Sequence, residues 1–160
     1  RQAASLAAKA GRKVALTLSD SFCVDRHRAE FLDLIRSSVD ILFANEAEIT
    51  ALYETKNFDE AAAKVRRDTA FAVLTRSAKG SLILTGDGQA VVASEPVAKV
   101  VDTTGAGDLY AAGFLFGVSR GLPVATAGRL GSIAAAEIIS HIGARPEIRL
   151  DHLAREKKIL

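Results

Sequence analysis

The sequence predicts an α/β fold, a mostly parallel sheet layered with helices and interrupted by one hairpin. Three observations carry that expectation. Short apolar or β-branched runs alternate with longer stretches of helical spacing, the order of a parallel sheet with crossover helices. Two such runs flank Gly86-Asp87-Gly88-Gln89, a hairpin signal that makes the sheet mixed. A glycine turn, Asp102-Thr103-Thr104-Gly105-Ala106-Gly107-Asp108, joins one apolar run to a longer one and reads as strand, turn and helix start.

The elements follow in order. Residues 1–10 read as a helix entered partway along and ended by Gly11. Residues 13–18 read as a strand and 19–21 as a loop. Residues 25–38 have helical spacing, with Phe31, Leu32, Leu34 and Ile35 on the apolar face. Residues 40–44 form a buried strand candidate. Asn45 then caps a helix, with Glu48 three positions later as in a capping box, and helices occupy 46–53 and 59–67. Residues 71–75 read as a strand that ends in the loop Arg76-Ser77-Ala78-Lys79-Gly80. The hairpin strands are 81–85 and 90–93, and 97–101 is a short strand leading into the glycine turn. Two apolar helices, 108–120 and 124–141, are separated by Gly121-Leu122-Pro123. Residues 143–146 read as a loop, and Asp151 as the cap of a last helix.

Composition narrows the function classes. With 160 residues, 49% of them apolar, the chain is long enough for one domain with a core and too apolar to be disordered. No long uncharged apolar run predicts a membrane span. The 21 basic and 19 acidic residues leave a net charge of +2, which gives no reason to expect nucleic acid as a partner. Cys23 is the single cysteine, so no internal disulfide forms, and a reducing cytoplasm is the expected setting. It reads as a packing residue or an idle thiol. His27, His141 and His152 lack metal-ligand spacing. The absence of methionine is read as a sign that these residues belong to a longer protein, or that the first residue was processed away.

The glycine turn carries the chemistry. Backbone N–H groups at a helix start are unpaired, and with the helix dipole they favour an anion. Gly105 and Gly107 allow close approach because they lack a Cβ. Asp108 stands in the first helical turn beside that anion, which points to proton transfer next to a phosphate. Two rival motifs fail. A dinucleotide fingerprint needs a third glycine where Tyr110 stands, and no Walker-type glycine-lysine loop occurs.

The run from Asp102 to Asp108 resembles the signature of the ribokinase-like (PfkB) carbohydrate and nucleoside kinases. Asn45-Glu46-Ala47-Glu48 is similar to that family's Asn-x-x-Glu motif, and residues 75–80 to its nucleotide loop. The landmarks come in the family's order and correspond to the carboxyl-terminal half of such a kinase. Leu18-Ser19 with Phe22, and Val39-Asp40-Ile41-Leu42-Phe43 before Asn45, are most similar to the adenosine kinase branch. The resemblance implies a three-layer αβα ribokinase-like fold, with residues 1–160 as its nucleotide-binding and catalytic portion and the amino-terminal substrate and lid half missing.

It also implies transfer of the γ-phosphate of ATP to a hydroxymethyl group of a nucleoside, adenosine foremost, or of a sugar. Asp108 would be the base, and Gly105, Ala106 and Gly107 the anion hole. Asn45 and Glu48 would position phosphates and magnesium-bound water. Thr75, Ser77 and Gly80 would border the nucleotide, with Ser132 near adenine. Asp102 and Thr104, with carbonyls around His141 and Gly143, match a monovalent-cation loop, for which potassium is the candidate ion. Arg76 and Ser77 depart from the small residue and glycine that many relatives place there. Partners would be a small nucleoside or sugar, not nucleic acid or membrane, with an oligomer left open. The alternatives are a sugar kinase of ribokinase or fructokinase type, a nucleotide-binding fragment without catalysis, a dinucleotide oxidoreductase, and an interaction domain that binds no nucleotide.

Overall fold

The computed structural model describes residues 1–160. Its five strands are β1 (Ala15–Thr17), β2 (Ile41–Asn45), β3 (Ala72–Thr75), β4 (Ser81–Thr85) and β5 (Gly88–Val92). They form one sheet in sequence order, with parallel rungs joining β1 to β2 and β2 to β3. The β4–β5 hairpin turns through Gly86 and Asp87, so the sheet is mixed, as the sequence predicts. The helices are α1 (Gln2–Lys9), α2 (Ser21–Arg26), α3 (Arg28–Ser38), α4 (Glu46–Leu52), α5 (Phe58–Asp68), α6 (Ala106–Ser119), α7 (Val124–Ile138) and α8 (Leu150–Glu156). None is long and apolar enough to cross a membrane.

The chain divides into two compact units, one of Arg1–Arg76 with Leu82–Gln89, the other of Ser77–Ser81 with Ala90–Leu160. In the first, β2 and β3 are buried along nearly their whole length, which is why they read as continuous apolar runs and not as alternating ones. Leu42, Leu74, Ile49, Leu52 and Val65 form the middle of its core. Tyr53 and Arg36 both bond the Asp68 carboxylate, tying the ends of α3, α4 and α5 together.

In the second unit α6 and α7 pack closely through glycine. A Cβ on Gly113 would lie 2.7 Å from the Leu130 carbonyl oxygen, and one on Gly131 would lie 2.7 Å from that of Tyr110. Phe114 and Ile133 are buried beside this contact. The buried Glu95 carboxylate pairs with Arg129 at 3.0 Å and Lys157 at 2.6 Å, which fastens the segment after β5 to α7 and to the end of α8.

Several expectations are corrected. Residues 97–101 are not a strand. Val100 and Val101 are about half exposed, at 53% and 45%, and a single backbone bond, Val101 N–H to the Ile139 carbonyl, holds the segment. β-Branched residues favour a pleated, half-buried surface, and here no neighbouring strand supplies one. The helix expected over 25–38 is two helices broken at His27, because the Asp20 carboxylate accepts the amides of Phe22 and Cys23 and starts α2 early. Asp151 does not cap α8; Arg149 holds the cap position and its guanidinium grips the Asp151 carboxylate. The strand expected over 13–18 shortens to three residues.

Candidate functional site

In the first unit, Asn45 ends β2 and caps α4. Its side-chain oxygen accepts the Glu48 amide at 2.8 Å, while Glu48 Oε2 accepts the Asn45 amide at 2.9 Å. A third bond runs from Asn45 Nδ2 to Glu48 Oε1 at 2.7 Å. This is the reciprocal box that the three-residue spacing predicts. Burial lifts the Glu48 carboxyl above its ordinary range; the Asn45 amide opposes the shift and the nearby charge of Asp20 adds to it. Each Glu48 oxygen spends one lone pair on Asn45, so the carboxylate keeps acceptor capacity for a hard cation or its water.

Thr75 is level with Asn45, the two being partners in the last parallel rung between β2 and β3. One residue further along each strand, Arg76 meets Glu46. Its Nε and Nη2 donate to the two carboxylate oxygens at 3.3 and 3.1 Å, and its guanidinium lies 3.7 Å from the centre of the Phe58 ring. Neither residue stood among the expected site residues, and nothing in a separation of 30 positions signals the pair.

In the second unit, Ser77 to Lys79 form a short 3-10 turn closed by the Gly80 amide on the Ser77 carbonyl at 3.0 Å. Gly80 has φ +85°, and a Cβ there would run into the Val92 carbonyl oxygen, so only glycine fits. Ser132 is buried on α7. Its oxygen accepts the Glu95 amide at 2.7 Å and its hydroxyl donates to Ala93 O at 3.3 Å. Those bonds make Ser132 a pin for the segment after β5.

Gly105 is the left-handed N-cap of α6, with φ +80° and Ala144 Cβ 3.2 Å from where its own Cβ would be. Gly107 faces open space, with nothing within 4 Å of a Cβ position. The Ala106 amide turns inward to the Thr103 carbonyl at 3.1 Å. The amides of Gly107 and Asp108 meet no backbone carbonyl, as first-turn amides do not. Asp108 lies exposed in that first turn. Open amides on an uncovered face beside a carboxylate fit an approaching phosphate with a hydroxyl next to it.

Behind this turn, Asp102 brings the other expected residues together. Its Oδ1 accepts the Thr104 amide at 2.9 Å and the Thr104 hydroxyl at 2.7 Å, and its Oδ2 accepts the Gly143 amide at 3.1 Å. These bonds hold the Asp102 carboxyl below the usual range. His141 reaches back to the buried Glu137, whose Oε1 lies 3.2 Å from His141 Nε2 and accepts the amides of Glu147 and Ile148 at 2.8 and 3.1 Å. Desolvation pulls the His141 pKa down, but the Ile142 carbonyl and the Glu137 and Glu147 carboxylates outweigh it and raise the net value. Glu137 was missed, although it stands four positions before His141 within the helix expected over 124–141, a spacing that signals such a pair. No three His, Cys, Asp or Glu side chains converge as a metal cluster.

Residues 1–149 match the family described as pfkB family carbohydrate kinase. Two solved structures align with nearly the whole chain. A probable sugar kinase protein from Rhizobium etli is 45% identical, with a TM-score of 0.96 over 99% of this chain and 48% of its own. An adenosine kinase from Sinorhizobium meliloti is 49% identical, with a TM-score of 0.94 over 98% of this chain and 48% of its own. A cytidine kinase from Thermococcus kodakarensis is 36% identical over 119 residues, 72% of this chain and 42% of that protein. The chain thus spans about half the length of the relatives it matches. It belongs to the pfkB family, and its fold is the ribokinase-like αβα arrangement.

Proposed function

We propose that this pfkB-family chain is the nucleotide-binding and catalytic portion of an ATP-dependent kinase that phosphorylates a hydroxymethyl group of a nucleoside, adenosine foremost, acting in the cytoplasm. The observation that carries the reading is the start of α6, where open amides on an uncovered glycine face adjoin the Asp108 carboxylate. The acceptor hydroxyl oxygen attacks the γ-phosphorus, a new O–P bond forms, the bond to the β–γ bridging oxygen breaks, and ADP leaves. The hydroxyl proton passes to the Asp108 carboxylate, a step worth about a hundred- to ten-thousand-fold in rate.

The amides of Gly107 and Asp108 face the developing phosphoryl charge without reorganising. Gly105 sets their direction from its left-handed conformation, and Ala106 joins the anion hole by giving up the Thr103 carbonyl. Asn45 and Glu48 orient the phosphate and cation side, and Thr75, Ser77 and Gly80 border the nucleotide. The Glu48 carboxylate, acting through water, would hold a magnesium ion, which would supply positive charge to offset that of the phosphates. Ser132 serves the adenine side by holding residues 93–95 in place. Asp102 and Thr104, with carbonyls near His141 and Gly143, form the loop that takes a monovalent ion, potassium being the candidate.

The 45% identity to a probable sugar kinase protein favours one second reading, a sugar as acceptor. Transfer of labelled phosphate from ATP by the full-length protein, assayed across a panel of nucleosides and sugars, decides between the two. A panel without any phosphorylated product overturns the kinase reading itself.

A further inference from the structure

The residues just beyond β2 and β3 are tied to each other by side chains. Asn45 and Thr75 make the last rung of the pairing, and Arg76 and Glu46 continue it one step with a two-pronged ion pair. The guanidinium carbon also lies over Phe58, 3.7 Å from the ring centre. The pair is only partly exposed, at 26% for Arg76 and 35% for Glu46. A fork bonded to a carboxylate and backed by a ring has one orientation, which an ammonium group on a flexible stem does not.

The two strand ends carry different parts of the proposed machinery. Glu46 lies inside the Asn45–Glu48 box. Arg76 directly precedes Ser77, whose φ of 51° starts the turn toward Gly80.

We propose that Arg76 is a positioning residue for the nucleotide, and that its grip on Glu46 and its seat on Phe58 hold the root of the nucleotide loop in register with the Asn45–Glu48 box. The proposal rests on the kinase reading above. It makes a prediction that charge alone does not. If only charge mattered, removing Glu46 would tighten binding of a polyanion and removing Arg76 would loosen it. Positioning requires that both loosen it.

The test is calorimetric titration of the full-length protein with the magnesium complex of the non-hydrolysable ATP analogue AMP-PNP. Arg76→Leu, Arg76→Lys and Glu46→Ala are each expected to weaken binding about tenfold, the scale of losing an outer partner that orients a direct contact. The Arg76→Leu/Glu46→Ala double variant is expected to be no weaker than the worse single one, and thermal midpoints are expected to stay near wild type. Tighter or unchanged binding in Glu46→Ala, wild-type binding in Arg76→Lys, or weakening that tracks a fall in the midpoint overturns the positioning role. A wild-type protein that does not bind the analogue overturns the kinase reading as well, so the two failures are told apart.

Discussion

The Asp102 carboxylate accepts the amide of Gly143, 3.1 Å away and 41 residues further along the chain. Its other oxygen holds Thr104, so one side chain spans the turn that precedes α6 and the loop that follows α7. Asp102→Ala removes both acceptors at once. The expected outcome is faster hydrogen exchange at the Gly143 and Thr104 amides, with protection elsewhere in α6 retained. The pH dependence has a definite sign. The folded pKa is lowered, so the hold is fully present above the unfolded value of about 3.9 and is lost as pH falls through the folded one.

Asp108 stands in the first turn of α6 beside the uncovered Gly107. Asp108→Asn keeps the shape and removes the proton acceptor. Turnover is expected to fall about a hundred- to ten-thousand-fold, with ATP affinity largely intact. Single-turnover kinetics and a separate ATP titration in the full-length protein check both halves. Full turnover in the variant rules Asp108 out as the base.

Gly113 and Gly131 let α6 and α7 approach until a Cβ on either would lie 2.7 Å from a backbone oxygen. A backbone carbonyl cannot swing aside as a side-chain end can. Gly113→Ala and Gly131→Ala are each expected to cost about 1–3 kcal/mol, the range for overpacking a close contact. Urea unfolding measures it. Gly107→Ala is the contrast, since open space surrounds that position and little stability is expected to be lost.

Glu48 is buried with its pKa raised, mainly by that burial. The folded protein therefore holds this proton more tightly than the unfolded chain does. Its contribution to stability is most favourable below the unfolded value of about 4.3 and declines as pH rises through the raised folded value. Glu48→Gln has no such titration. The stability of wild type relative to Glu48→Gln is expected to fall across that window, measured by urea unfolding between pH 4 and 7. A difference that does not change with pH sinks the assignment.

Local chemistry was readable where one segment contains both partners. Asn45 and Glu48 form their box because three residues span the first turn of a helix, whatever lies around it. Gly86-Asp87 turns the hairpin for a similar reason. Residues 97–101 misled because their β-branched side chains report a preference for a sheet surface, and the preference does not create a neighbouring strand. The break at His27 depended on whether Asp20 or a later residue would cap, and several arrangements of that stretch satisfy the same apolar spacing.

By itself the sequence determined the α/β order, the glycine turn that opens α6 and the capped helix after β2, because each is written within a few consecutive residues. Only the tertiary structure decided that Asp102 would reach Gly143, that Arg76 would grip Glu46, and that Ser132 would spend its hydroxyl on the segment after β5. The physical reason is distance along the chain. Periodicity and turn chemistry act over a helical turn or a hairpin, whereas these bonds join residues brought within reach by packing that no local preference describes.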